Sequence, residues 1–171
     1  MMPLSFRTSR ARSTNGQTMA EFAMIAPLFF LLIFGVLDFA WLMFAQSNIQ
    51  QAVDDGGRYA STGQESGGTG TRISSIISKV QSEISVPSVN ANNLTICSVP
   101  PGGGSSLCWN SGVDSGNTGA AGGPEYTTTI TLTTTLPLMT PLIGKFFPAA
   151  GYTFTSSSTF TNEPFNPSST D

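Results

Sequence analysis

The sequence predicts an α+β protein: a long N-terminal transmembrane helix, a short amphipathic helix and a small antiparallel sheet. Three observations carry this expectation. Residues 22–45 are apolar at every position except Asp38; at about 1.5 Å per residue they make roughly 36 Å of helix, enough to cross a bilayer core of about 30 Å. Ile73, Ile76, Ile77, Val80 and Ile84 fall on one helical stripe within residues 71–85. Residues 125–136 (EYTTTITLTTTL) and 152–160 (YTFTSSSTF) have the alternation and the β-branched content of strands.

Composition narrows the function. A chain of 171 residues allows one folded unit besides the span, with a small core. It has no His, the commonest general base and metal ligand. Among the acids beyond the span, Glu65, Glu83, Asp114, Glu125 and Glu163 show no paired spacing. No catalytic residues, cofactor or metal site are therefore expected, and the protein reads as a non-enzyme. Charged residues make up 10% of the chain, against roughly a quarter in an average protein. Beyond residue 16, four basic residues (Arg58, Arg72, Lys79 and Lys145) face ten acidic ones, which argues against a nucleic-acid partner.

Arg7, Arg10 and Arg12 precede the apolar run with no acid near them. A basic N-terminal flank predicts a cytoplasmic N-terminus and an exported C-terminal domain. Three readings of this region are open. A secretory signal has an apolar core of 7–15 residues, shorter than the run seen here. A plain signal anchor requires no special residue. A prepilin-type signal has a basic leader, a Gly and then a carboxylate at the start of the span.

The residues favour the third. In GQTMAEF, Gly16 is followed by Glu21, a pattern similar to type IV prepilins, which a membrane peptidase cuts after the Gly. Residues 16–61 further resemble TadE-like proteins, pseudopilin-like components of tight-adherence (Flp) pilus systems. The shared features are the Glu21-Phe22 pair, Pro27, Gly35, Asp38-Phe39 and Arg58-Tyr59-Ala60. The resemblance implies a pilin-like fold and processing between Gly16 and Gln17 by a prepilin-type peptidase. It also implies the bacterial inner membrane as location, and other pilus-assembly components or pseudopilins as partners. Residues 1–16 are then a leader, 17–61 the membrane helix and its amphipathic continuation, 62–70 a flexible linker, 71–165 the exported domain and 166–171 a tail.

Within the span, Glu21, Pro27, Gly35 and Asp38 are the expected subunit-packing residues. Cleavage would give Gln17 a free α-amine, and Glu21 of a neighbouring subunit could pair with it. A carboxylate deep in a bilayer costs a few kcal/mol, so Asp38 needs a partner, water from the exported face, or a membrane boundary close by with Trp41 as the interfacial aromatic. Pro27 removes a backbone donor and predicts a kink near Ala23.

Beyond the membrane the helix is expected to continue over residues 46–60, with Ile49, Ala52, Val53 and Tyr59 on one face. Gly56 and Gly57 weaken it by about 1 kcal/mol each relative to Ala, or mark its early end. Thr71 is a candidate cap for the second helix and Pro87 its stop. Residues 93–100 read as a strand, 101–106 as a turn and 110–124 as a loop. Cys97 and Cys108 close a short loop in an exported region, which predicts a disulfide; two Cys without His offer zinc too few ligands. The apolar connector 138–147 is expected to cover the sheet, and residues 165–171 to fray. The sequence leaves a second function open: a single-pass envelope protein with a small binding domain and no pilus role.

Overall fold

The computed structural model describes residues 15–64, 72–86, 89, 91–111, 115–116, 118–140 and 151–165. Two α-helices and five strands make up its regular structure: α1 (Asn15–Ser61), α2 (Arg72–Glu83), β1 (Leu94–Val99), β2 (Leu107–Asn110), β3 (Ser115–Gly116), β4 (Thr127–Pro137) and β5 (Gly151–Thr161). The chain divides into two compact units between Leu37 and Asp38.

In the first unit the described residues are 15–37, the first part of α1. The helix remains α-helical across Pro27. Its large side chains, including Phe22, Met24, Leu28, Phe30 and Leu32, are exposed.

The second unit is a helix-covered antiparallel sheet of order β3-β2-β1-β4-β5. β1 pairs with β2 and β4, and β4 with β5, all antiparallel. The period-2 pattern of the sequence sorts the two faces. Leu94 and Ile96 of β1, Ile130, Leu132 and Leu136 of β4, and Phe154 of β5 point into the core. Against them pack Ala45, Ile49, Ala52, Val53 and Ala60 of α1 and Ile73, Ile76 and Val80 of α2. The opposite face carries Thr side chains that bond across the strands: Thr129 with Thr159 (2.9 Å), Thr133 with Thr155 (3.1 Å) and Thr135 with Thr153 (2.7 Å).

The structure decides one open alternative and corrects two expectations. First, α1 does not end at Gly56-Gly57 but continues to Ser61, as expected for residues 46–60. Both glycines are close-contact positions: a Cβ on Gly56 would lie 2.3 Å from Val80 Cγ2, and one on Gly57 would lie 3.0 Å from the Phe160 ring. The packing gained there outweighs the weak helix propensity of Gly. The helix ends one turn later, where Gly63 takes a left-handed φ of 66° and its N–H donates to the Ala60 carbonyl. Second, residues 110–124 are not all loop. β3 adds a two-residue edge to β2, and Thr118–Ala121 forms a 3₁₀ turn that buries Ala120 and Ala121. Third, Phe165 is not frayed. Its ring lies under the Arg72 guanidinium, 4.5 Å from the ring centre, and it packs against Gly63.

Helix α2 follows its expected stripe, with Ile73, Ile76 and Val80 buried and Ile77 half-buried, while Ile84, half-buried too, lies just past its end. On its solvent side Lys79 pairs with Glu83 one turn on, and that carboxylate raises the Lys79 pKa above its ordinary value. Thr71, Pro87, most of the 62–70 linker and residues 141–147 of the apolar connector lie outside the described residues.

Candidate functional site

The expected processing and packing residues lie on α1, and Gly16, Gln17, Glu21 and Pro27 are exposed. Gly16 is exposed, and a Cβ built on it would meet no atom within 4 Å; the same holds for Gly35. Gln17 donates its side-chain amide to Glu21 Oε1 (3.3 Å), one turn on and exposed. Pro27 is exposed as well. Phe30 contacts both Phe29 and Phe34 along the helix.

This exposure has a physical meaning. The helix is long and apolar enough to cross a membrane, and only 6% of its most apolar window is buried. A core helix of a soluble protein of the same composition would be mostly covered. Leaving this many Phe, Leu and Met side chains in water would forfeit about 1.5–3 kcal/mol each. Such a helix suits a membrane, where apolar tails replace water.

Asp38 differs from the other expected residues on α1, because its partners lie far along the chain. It is buried, and its Oδ1 accepts the backbone N–H groups of Met139 (3.1 Å) and Thr140 (3.2 Å). Its Oδ2 is buried with no hydrogen-bond partner among the described residues. The carboxylate thus ties down the chain just beyond β4 and satisfies two amides that no strand pairs. Residue type alone shows that Asp38 needs a partner; only the fold shows that residues 139 and 140 supply it.

Two polar residues hold the second unit together without having stood out in the sequence. Arg72, at the start of α2, is buried and donates to the carbonyls of Ala60 (2.6 Å) and Gly122. It thereby links the end of α1 to the loop before β4. Asn162, just past β5, is buried and donates from Nδ2 to the carbonyls of Ala121 (3.2 Å) and Gly123 (2.8 Å). A basic residue directly before the apolar stripe of α2 was the available signal for Arg72. Asn162 offered none.

Cys97 and Cys108 lie directly opposite each other on β1 and β2, with Cα atoms 4.1 Å apart, and they form a disulfide. The bond staples a hairpin whose β2 strand is only four residues long. Among the described residues no group of three or more His, Cys, Asp or Glu side chains could hold a metal ion.

The decisive comparison concerns the segment that carries Gly16, Glu21, Pro27, Gly35 and Asp38. Residues 16–58 match the family of TadE-like proteins. The TadE-like segment thus takes in the exposed apolar helix, Asp38 and the start of the packed continuation, and it ends near Gly56 and Gly57, where α1 meets α2 and β5. No curated protein and no solved structure matches the chain.

Proposed function

We propose that this protein is a pseudopilin-type membrane component of Flp (tight-adherence) pilus assembly, with no catalytic step of its own. The observation that carries the reading is the TadE-like match over residues 16–58, falling on a helix whose apolar side chains are uncovered.

In this reading a prepilin-type peptidase cuts between Gly16 and Gln17 and leaves an α-amine at the head of the helix. Glu21 now shares a hydrogen bond with the Gln17 side chain, so it stands one turn from that new amine. In an assembly it pairs with the amine of a neighbouring subunit, a charge-assisted contact strengthened by the low dielectric of the membrane edge. Gly35 and Pro27 supply the smooth, close-approach surface that helices use in lipid. Asp38 acts first within its own chain, holding residues 139 and 140, and marks the exported end of the span. Arg7, Arg10 and Arg12 keep the leader cytoplasmic, so the sheet domain lies outside the inner membrane, where its disulfide is stable.

The test is piliation in a strain lacking this chain. Loss of surface pili, restored by the wild-type protein but not by Glu21→Ala, is the expected result. Normal piliation without the chain would refute the reading.

A further inference from the structure

β5 runs in the same direction as residues 50–61 of α1. Gln50 donates its side-chain amide to the Ser157 carbonyl (3.3 Å), Gly57 lies against the Phe160 ring, and the Ser61 carbonyl accepts the Glu163 N–H (2.8 Å). The beginning of β5 therefore lies toward Asp38, which holds the Met139 and Thr140 amides.

The sheet narrows toward that end. The last β1–β4 pair is Leu94 with Leu132, but β4 and β5 stay paired for five more residues, to Pro137 and Gly151. At about 3.3 Å per residue, a two-stranded finger roughly 16 Å long reaches past β1. Its end is apolar. Met139 is 67% exposed and Tyr152 44%, and the Tyr152 ring stacks on Phe154 with 6.4 Å between centres. On the turns of α1 just after Asp38, Phe39, Met43 and Phe44 are exposed as well. A two-stranded ribbon is marginal in water, and an exposed apolar end marks a contact surface.

The position of Asp38 in the apolar run says what covers this end. A hydrocarbon core of about 30 Å takes about 20 helical residues. Counted from Phe22, the first residue after Glu21, they end at Trp41. Asp38 then lies about 4.5 Å inside the hydrocarbon edge, and its hydrogen bonds bring Met139 and Thr140 to a similar depth. Backbone at that depth must have its N–H groups satisfied within the protein. Pro137 and Pro141 have none to satisfy, and Asp38 Oδ1 accepts those of Met139 and Thr140. No charged residue lies on β4, on β5 or at 138–140. Tyr152 is the residue type that favours the boundary between lipid and water.

We propose that the tip of the β4–β5 finger enters the exported leaflet of the bilayer that α1 crosses, with Met139 in the hydrocarbon and Tyr152 at its edge. The partner is lipid, and the proposal rests on the reading of α1 as a membrane span. The exported domain thus has a second hold on the membrane. Asp38 makes it possible: a carboxylate that would be costly alone at that depth seals two amides of the segment that enters with it.

The test uses the full-length protein in vesicles of phosphatidylcholine and phosphatidylglycerol, with iodide on both sides. Cys97 and Cys108 are already joined, so an introduced Cys takes an environment-sensitive fluorophore alone. Met139→Cys and Tyr152→Cys report the tip, Thr159→Cys the far part of β5, and Leu32→Cys the apolar run. All these side chains are exposed, so the labels leave the fold in place. The Met139→Cys label is expected to emit to the blue and to be quenched by lipids spin-labelled on the acyl chain near the headgroup. Iodide should quench it several-fold less than the Thr159→Cys label, with Tyr152→Cys between the two. The Leu32→Cys label tests the span itself and should also be quenched from the lipid. A Met139→Cys label as open to iodide as Thr159→Cys, with Leu32→Cys still in lipid, would overturn the proposal and leave the span standing. A Met139→Cys label shielded from iodide and lipid alike would overturn it too, because a second copy of the chain would then cover the tip. A Leu32→Cys label open to iodide would remove the span, and the proposal with it.

Discussion

Gly56 of α1 lies so close to Val80 of α2 that a Cβ on the glycine would stand 2.3 Å from Val80 Cγ2. Val80 is fully buried and β-branched, so its methyl has little freedom to turn aside. Gly56→Ala would improve helix propensity by about 1 kcal/mol, but overpacking costs typically 1–3 kcal/mol. The contact should win, with a net loss of about 1–2 kcal/mol. Denaturant unfolding of the full chain in micelles measures it; a stabilised Gly56→Ala would show that the helices separate easily.

That contact also shows where reading the sequence stopped short. Two adjacent glycines in a helical stretch look like a break when only propensity is available. They become assets when a second helix and an edge strand need to come close, and nothing in residues 56–57 states which segments those are. The membrane helix, the α2 stripe and the Thr-rich strands were legible because each is a repeated pattern in adjacent residues. The partners of Asp38, Arg72 and Asn162 were not, since each lies on a distant segment and depends on a single side chain.

Arg72 bridges the carbonyls of Ala60 and Gly122, tying the end of α1 to the loop before β4. Arg72→Met keeps much of the volume and removes the bridge, and it should destabilise the exported domain by about 2–4 kcal/mol. Arg72→Lys should recover little, because one ammonium lacks the planar fork that reaches both carbonyls. Denaturant midpoints of the three proteins decide this.

Asp38→Ala should free the amides of Met139 and Thr140, and leaving such groups unsatisfied costs about 1–3 kcal/mol. Asp38→Asn retains an acceptor oxygen and should be milder. Hydrogen exchange at residues 139 and 140 reads this directly: fast in the Ala variant and slow in both the Asn variant and the wild type. Equal protection in all three would mean that the Asp38 contact does not hold this segment.

The Cys97–Cys108 bond closes a short loop, with the two residues 11 positions apart. Constraint of the unfolded chain by a loop of this size is worth about 3 kcal/mol. The double variant Cys97→Ser, Cys108→Ser should lose about that much stability, seen as a lower unfolding midpoint under oxidising conditions. Under reducing conditions the wild type should fall to meet it.

The most direct test of the account is the N-terminal residue and intact mass of the protein taken from membranes. A chain beginning at Gln17 is predicted, with the new amine one turn from Glu21 and the TadE-like helix retained. A chain that keeps residues 1–16 would contradict prepilin-type processing and leave Glu21 without its amine, and a start beyond residue 45 would show the helix to be a discarded signal.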